Sequence, residues 1–187
     1  MTSFWLIRHG QTDWNLSGRW QGQAEQAPGL NSTGRAQALA VSKLLPNMNF
    51  SAIYSSDLLR ARQTAELLAI PQGLTVKLEP RLREMNLGAW EGMLSSDIEA
   101  QYPLELERRR RSPLQTPALN GESPFEVAER VIAAAYEIAD SHTGASVLIV
   151  SHGVALAVIL CHAQGIPLDK VYDHIPENAT PYCVEWK

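Results

Sequence analysis

Short apolar runs alternate along the chain with longer stretches in which apolar positions recur at helical spacing. The short runs are rich in branched and aromatic side chains and are bounded by polar, proline or glycine residues, which is typical of strands. They predict strands at 3–7, 51–56, 74–80, 146–150 and 181–186. The longer stretches predict helices at 33–45, 57–70, 123–142 and 154–163. This alternation indicates an α/β fold with a mainly parallel sheet covered by helices on both faces.

Local signals set several helix boundaries. Ser123 and Glu126 have the spacing of a capping box, with Pro124 at the first helical position, so the third helix is predicted to begin there. Pro46 and Pro71 are predicted to end the helices before them, because proline cannot continue a helix.

Residues 92–121 depart from the alternation. This segment contains three prolines and the four consecutive arginines Arg108–Arg111, and it predicts a small helical insertion that could cover a site. We interpret the arginine run as an exposed helix face and favour that over substrate steering. Nothing else in the 187 residues resembles a linker or a repeat, so a single domain over residues 1–187 is expected.

Composition limits the classes of partner. A formal net charge of -4 and a pI near 5.7 argue against a protein that coats nucleic acid or an anionic membrane, since both need a basic excess. No apolar run is long enough to span a bilayer, and the first apolar run has no basic leader before it. Two cysteines without CxxC spacing favour a reducing compartment. We therefore expect a cytoplasmic protein.

Charged and imidazole side chains follow the predicted strands. Arg8 and His9 come directly after the first strand, and Arg60 lies in the first turn of the helix that follows the second. Glu84 follows the third strand, and His152 follows the fourth. Ligands of parallel sheets bind at the carboxyl ends of the strands, so these side chains are predicted to meet at one edge.

Two of the strands end alike, in "LIRHG" and "LIVSHG". We expect Gly10 and Gly153 to allow sharp turns, and the helices after them to direct free N–H groups at the same place. A sheet edge with these positive groups suits an anion, and the planar guanidinium groups of the two arginines suit phosphate best. A neutral histidine can accept a phosphoryl group, with Asn15 as a further donor to its oxygens. A carboxyl can protonate the leaving oxygen.

Other interpretations remain open at this stage. Each residue taken alone could be structural, and the three tryptophans near the site, Trp14, Trp20 and Trp90, are expected mainly to pack. His9, His152 and a carboxylate could be ligands of a hydrolytic metal, although the neighbouring arginines would repel a cation. The chain could also be a phosphate-binding module without catalytic activity, which the presence of Glu84 disfavours.

The sequence resembles the histidine phosphatase superfamily, the phosphoglycerate mutase-like group with an "RHG" signature. Its motifs occur in the family order over nearly the whole chain, as "LIRHGQTDWN", "GRWQG", "LNSTGRAQA", "YSSDLLRARQTAE", "LREMNLGAWEG", "NGES" and "VLIVSHG". The resemblance implies a three-layer, phosphoglycerate mutase-like α/β/α sandwich. It also implies that no cofactor and no metal are required.

The resemblance further implies a role for individual residues. His9 would be the nucleophile, Glu84 the proton donor, and Arg8, Arg60 and His152 the rest of the phosphate pocket. We place the remaining substrate contacts at Asn15, Gln21, Gly22 and Gly153.

The expected substrate is a small-molecule phosphomonoester, hydrolysed through a phosphohistidine. Mutases of this group are generally longer, and the short chain here resembles the compact bacterial phosphatases. We therefore expect the phosphohistidine to be hydrolysed by water rather than to transfer its phosphoryl group to a sugar acid. Phosphoglycerate mutase-type transfer and α-ribazole phosphatase activity remain alternatives. The loop "QGQAEQAPGLNSTG" has Glu25 where the family often has aspartate, and the loop could therefore differ at the substrate. We expect a monomer or a homodimer.

Overall fold

In a computed structural model, residues 1–45 and 48–187 are described, and five strands form one sheet. The strands are β1 (Thr2–Arg8), β2 (Phe50–Ser55), β3 (Val76–Leu78), β4 (Ser146–Ser151) and β5 (Pro181–Trp186). Their spatial order is β3-β2-β4-β1-β5. β1, β2, β3 and β4 are mutually parallel, and β5 runs antiparallel to β1. The predicted mainly parallel sheet is confirmed.

The helices lie between the strands as the sequence predicts. They are α1 (Asp13–Ser17), α2 (Ser32–Leu44), α3 (Leu59–Ala69), α4 (Ser95–Gln101), α5 (Pro103–Arg111), α6 (Pro124–Ser141) and α7 (Gly153–Gln164). Shorter 3₁₀ turns occur at Ile70–Gln72, Pro80–Leu82, Gly88–Trp90 and Leu168–His174. The proposed stop at Pro46 lies outside the described residues. The predicted third strand, 74–80, is only three residues long, because the chain enters a 3₁₀ turn at Pro80.

Alternate strand residues face two separate cores, which gives the three layers. Phe4, Leu6 and Ile149 belong to the core under α6 and α7, whereas Ile7 and Val150 belong to the core under α2 and α3. A strand buried on both faces needs helices on both sides, since successive side chains point in opposite directions. The three-layer α/β/α sandwich is thus the observed fold.

Helix α6 begins where the capping box predicts. The Ser123 hydroxyl accepts the Glu126 N–H at 3.3 Å, and the Glu126 carboxylate accepts the Ser123 N–H at 2.8 Å. Two otherwise unpaired donors at the helix start are satisfied in this way. The fixed start sets the rotation of α6, and with it the side that faces the sheet.

The register of the sheet brings the ends of two strands together. Arg8 pairs with Ser151 in the parallel β1–β4 ladder, so the residue after each strand, His9 and His152, comes to the same edge. Helices α4 and α5 lie within the predicted insertion, and Ile98 of α4 packs into the core under α6 and α7.

Candidate active site

Hydrogen bonds from three directions hold the backbone around His9. The His9 N–H donates to the Ser151 carbonyl at 2.9 Å, and the His9 carbonyl accepts the Asn178 amide at 2.7 Å. The next N–H, of Gly10, donates to the Thr64 hydroxyl at 3.1 Å. The ring therefore stands on a backbone that is fixed before any ligand arrives.

The His9 imidazole is buried and neutral, and one of its ring nitrogens is unprotonated. Its Nδ1 lies 2.8 Å from the Gly10 carbonyl and must carry the proton, because a carbonyl can only accept. Its Nε2 is then unprotonated, and its lone pair accepts the Arg60 Nε–H at 3.2 Å. Burial, Arg60 and Arg8 together hold the His9 pKa well below its ordinary value. An unprotonated Nε2 is a nucleophile.

A second buried imidazole, His152, lies beside the first, with ring centroids 5.2 Å apart. Its Nε2 is 2.8 Å from the Ser56 hydroxyl, while its buried Nδ1 has no hydrogen-bond partner among the described residues. Burial and then the charge of Arg60 lower the His152 pKa well below its ordinary value. Buried polar atoms are normally paired, so an unpaired nitrogen here is suited to a ligand oxygen.

Two arginines, the buried Arg60 and the partly buried Arg8, add positive charge beside the imidazoles. Arg60 donates to the Gly22 carbonyl at 2.8 Å, and burial lowers its pKa to about 10, which leaves it charged at neutral pH. Arg8 donates to the Pro176 carbonyl at 3.0 Å, and its buried Nε is unpaired within the described chain. Burial lowers the Arg8 pKa, and the nearby Glu84 partly offsets that effect.

Glu84 lies opposite these cations, held by backbone donors. Its Oε1 accepts the Met85 N–H at 2.8 Å, and both carboxylate oxygens lie 3.2 Å from the Val154 N at the start of α7. The expectation that this helix start directs a free N–H at an anionic ligand is therefore wrong for Val154. A carboxylate of the protein itself takes that donor.

The side chains line one cavity of about 440 Å³, a size that suits a small molecule. Seven of the nine predicted residues lie on its wall, namely Arg8, His9, Asn15, Gln21, Gly22, Arg60 and Glu84. His152 and Gly153 do not line it. The side-chain oxygen Oδ1 of Asn15 accepts the Thr12 N–H at 3.1 Å, which leaves the side-chain amide nitrogen of Asn15 as its donor for a ligand.

Comparison with known proteins identifies the arrangement. The sequence model of the histidine phosphatase superfamily (branch 1) matches residues 4–187. The chain belongs to the histidine phosphatase superfamily.

Relatives of this histidine phosphatase carry several activities in their names. It is 32% identical over 180 residues to Phosphoserine phosphatase 1 of Hydrogenobacter thermophilus, covering 96% of this chain and 84% of the relative. It is 36% identical over 170 residues to a probable phosphoglycerate mutase, GpmB, of Yersinia pestis, covering 89% and 77%. The solved alpha-ribazole phosphatase of Shigella flexneri superposes with a TM-score of 0.90 at 26% identity, covering 99% and 91%. Family membership and these phosphatase relatives make the chain a phosphatase.

The two glycines of the phosphatase site act differently from the expectation. Neither Gly10 nor Gly153 has a positive φ, so no special turn is involved. A Cβ on Gly10 would lie 2.4 Å from the Gly34 carbonyl oxygen. A Cβ on Gly153 would lie 3.1 Å from Ile175 and 3.4 Å from the Glu84 carboxylate. Gly10 needs glycine because the backbone of Gly34 approaches closely, whereas a Cβ at Gly153 would be tight only against the Ile175 side chain.

The interpretation of Arg108–Arg111 as an exposed face is wrong for Arg109. This side chain is only 7% exposed and lines the cavity. It donates to the Tyr172 hydroxyl at 2.8 Å, and its guanidinium lies 5.6 Å from the centre of the Trp90 ring. The insertion packs against the core that contains Trp90 through Ile98, Tyr102 and Leu106. Trp20 also lines the cavity, whereas Trp90 is fully buried.

Sequence reasoning missed several residues that hold the site. Ser56, which contacts His152, and Asn178, which contacts the His9 carbonyl, had no signal beyond their place near the motifs. Arg130 and Glu122, which bond to each other, also escaped, although Glu122 is part of the quoted "NGES" motif.

Two further features concern residues 1–45 and 48–187. None of the helices found there has both the length and the apolar content to cross a membrane. Nor do three or more histidine, cysteine, aspartate or glutamate side chains gather there in an arrangement that could hold a metal ion.

Proposed function

We propose that this chain hydrolyses small-molecule phosphomonoesters in two steps, through a phosphohistidine at His9. The observation that carries the proposal is the neutral, buried His9, whose Nε2 lone pair adjoins Arg60 in a cavity lined by Glu84. A nucleophile, cations and a carboxyl around one small cavity are the components that phosphoryl transfer needs.

In the first step, His9 Nε2 attacks the phosphorus atom and the bond from phosphorus to the ester oxygen breaks. Arg8 and Arg60 would bind the phosphoryl oxygens with Asn15 as a further donor, and the unpaired Nδ1 of the buried His152 would donate to one of them. Protonated Glu84 gives its proton to the leaving oxygen, so the product departs as a neutral alcohol.

In the second step, water attacks the phosphorus atom of the phosphohistidine. Glu84, now a carboxylate, takes a proton from that water while the N–P bond breaks. Inorganic phosphate leaves, and the His9 lone pair and the Glu84 proton are both restored. Each residue thus ends in its starting state.

The cavity supports a substrate with a second acidic group. Arg109 lies on the wall that the insertion supplies, where its positive charge could pair with a carboxylate. The relatives named for phosphoserine and phosphoglycerate are consistent with such a substrate, and the relative named for alpha-ribazole phosphate keeps that alternative open. Transfer of the phosphoryl group to a hydroxyl, as in a mutase, is the second candidate function, because a probable mutase is among the relatives.

The setting of the reaction belongs to the same proposal. We propose one catalytic domain over residues 1–187, in the cytoplasm, as a monomer or homodimer that needs neither a metal nor a nucleic-acid or membrane partner. The net charge of -4 supports the absence of an anionic partner surface. The two arginines beside the imidazoles support a site for an anion rather than for a cation.

Phosphoenzyme trapping tests the proposal. A ³²P-labelled phosphomonoester should give acid-labile label on the wild type and none on His9→Ala. Glu84→Gln should hydrolyse alkyl phosphates about 10²-fold to 10⁴-fold more slowly, with a smaller loss on p-nitrophenyl phosphate, whose leaving group needs little protonation. A wild type that binds phosphate but neither labels nor hydrolyses any ester would be a binding module. Product analysis with 3-phosphoglycerate separates hydrolysis from mutase transfer.

A further inference from the structure

Arg130 of α6 bonds to the backbone that carries Glu84. Its guanidinium donates to the carbonyl of Arg81 at 2.7 Å, of Arg83 at 2.8 Å and of Glu84 at 3.0 Å. These carbonyls belong to one short connection between the edge strand β3 and the cavity. A helix that packs on the sheet therefore holds this connection from behind.

Glu122 completes the surroundings of the guanidinium. Its carboxylate accepts the Arg130 Nε and Nη2 donors, both at 2.8 Å. An arginine has five N–H donors, and here three go to carbonyls and two to Glu122, so all of them are used. The pair is largely buried, with side-chain exposures of 19% for Arg130 and 24% for Glu122.

Other contacts continue the same support. The Glu122 carboxylate also accepts the Asn86 N–H at 2.8 Å, on the other side of Glu84. The Gln23 amide donates to the Glu84 carbonyl at 2.8 Å. The backbone is thus held before, at and after Glu84, although none of these three side chains donates to its carboxylate.

We propose that Arg130, oriented by Glu122, is a positioning residue that sets where the Glu84 carboxyl stands relative to the leaving oxygen. This inference rests on the proposed function of Glu84 as the proton donor. Proton transfer needs its partners within hydrogen-bond reach, and a displacement of about 1 Å can cost about 10²-fold in rate. His9 is held mainly by β4, α3 and Asn178, and this support meets the connection where the Ser151 hydroxyl of β4 donates to the Leu82 carbonyl at 2.6 Å. We therefore expect a change at Arg130 to affect attack by His9 less than proton transfer from Glu84.

The leaving group distinguishes positioning from general structural support. We would measure kcat/KM of Arg130→Gln and Arg130→Lys on p-nitrophenyl phosphate and on β-glycerol phosphate, corrected for the folded fraction. Arg130→Lys keeps the charge but cannot reach five acceptors. Both variants should lose at least about tenfold more activity on the alkyl ester than on the aryl ester. In a Glu84→Gln background the Arg130 change should add nothing to that difference, since both changes then act on one proton transfer.

Arg81 provides the matched control. It lies on the same connection, but its side chain bonds to Glu79 and Glu137. Arg81→Gln should therefore slow both substrates equally, if at all. If Arg130→Gln does not fold, Glu122→Gln keeps the shape of the pair. It should also lose more kcat/KM on the alkyl ester than on the aryl ester, by a smaller factor than the Arg130 variants.

Equal losses on both esters, in Arg130 variants that still form the phosphoenzyme, would overturn the positioning role and leave the proposed function intact. Failure of the wild type to label at all would instead refute the proposed function. A selective loss on the alkyl ester supports the proposal.

Discussion

Mild acid should destabilise this phosphatase, because its two site histidines are buried in the neutral form. Burial and the adjacent arginines hold the pKa values of His9 and His152 well below the ordinary 6.5. As pH falls through that ordinary value, the unfolded chain takes up two protons that the folded chain refuses. Protons then favour unfolding, so the stability present above this range is lost below it.

The magnitude follows from proton linkage. Each such histidine lowers the free energy of unfolding by up to about 1.4 kcal/mol per pH unit, and the two together by up to about 2.7 kcal/mol per pH unit. Domains are typically stable by only about 5–15 kcal/mol, so the loss is easily measured. Carboxyl groups act at lower pH, as for Asp57, whose pKa is lowered by hydrogen bonds from Arg83. His142, whose pKa burial also lowers, contributes equally in every variant.

Urea unfolding at a series of pH values between about 7.5 and 5.5, in phosphate-free buffer, checks the prediction. The variants His9→Gln and His152→Gln should each remove about half of the slope that the pair provides, and the double variant should remove it all. A wild type whose stability falls no more steeply than that of the double variant would refute the claim that the imidazoles are held neutral.

Three further predictions concern the site. Gly10→Ala should cost about 1–3 kcal/mol of stability by urea unfolding and most of the activity, because the new Cβ would meet the Gly34 carbonyl oxygen at 2.4 Å; an unchanged midpoint would contradict the close approach. Arg109→Met should raise KM about tenfold for phosphomonoesters that carry a carboxylate and little for those without one, since about 1.4 kcal/mol of ion pairing corresponds to a factor of ten. Arg109→Lys, which keeps the charge, is the control. Exhaustive dialysis against a chelator should leave kcat/KM unchanged, and activity lost and then restored by a metal would show that the site needs one.

The fold was predictable because its signals are local. Strand runs, helical spacing and the capping box at Ser123 each depend on neighbours within about one turn, and the observed elements match them closely. The meeting of His9 and His152 follows from parallel register alone, once both are placed directly after paired strands. The short length of β3 could not be predicted from the sequence, because an edge strand ends where its single neighbour, here β2, stops pairing with it.

The supporting contacts could not be predicted in the same way. Arg130 is separated by 46 residues from the Glu84 carbonyl that it binds, and nothing in the local pattern of α6 distinguishes it from a solvated helix arginine. For Gly10 the residue was predictable but its role was not. The sequence shows that Gly10 matters, but only the position of Gly34, which comes from α2, gives the reason.

Arg109 is a different case, since the sequence did contain a signal for it. Leu106 and Arg109 are three residues apart on one face of α5, and Tyr102, the residue just before this helix, continues the same spacing; Tyr102 and Leu106 pack against the core under α6 and α7. We missed this inward-facing set because we interpreted the four arginines as one charged, exposed segment. A guanidinium can end an inward-facing stripe when an aromatic ring and a hydroxyl receive it, as Trp90 and Tyr172 do here. The periodicity of the whole insertion, rather than the charge of the run, therefore determines which of the four arginines reaches the cavity.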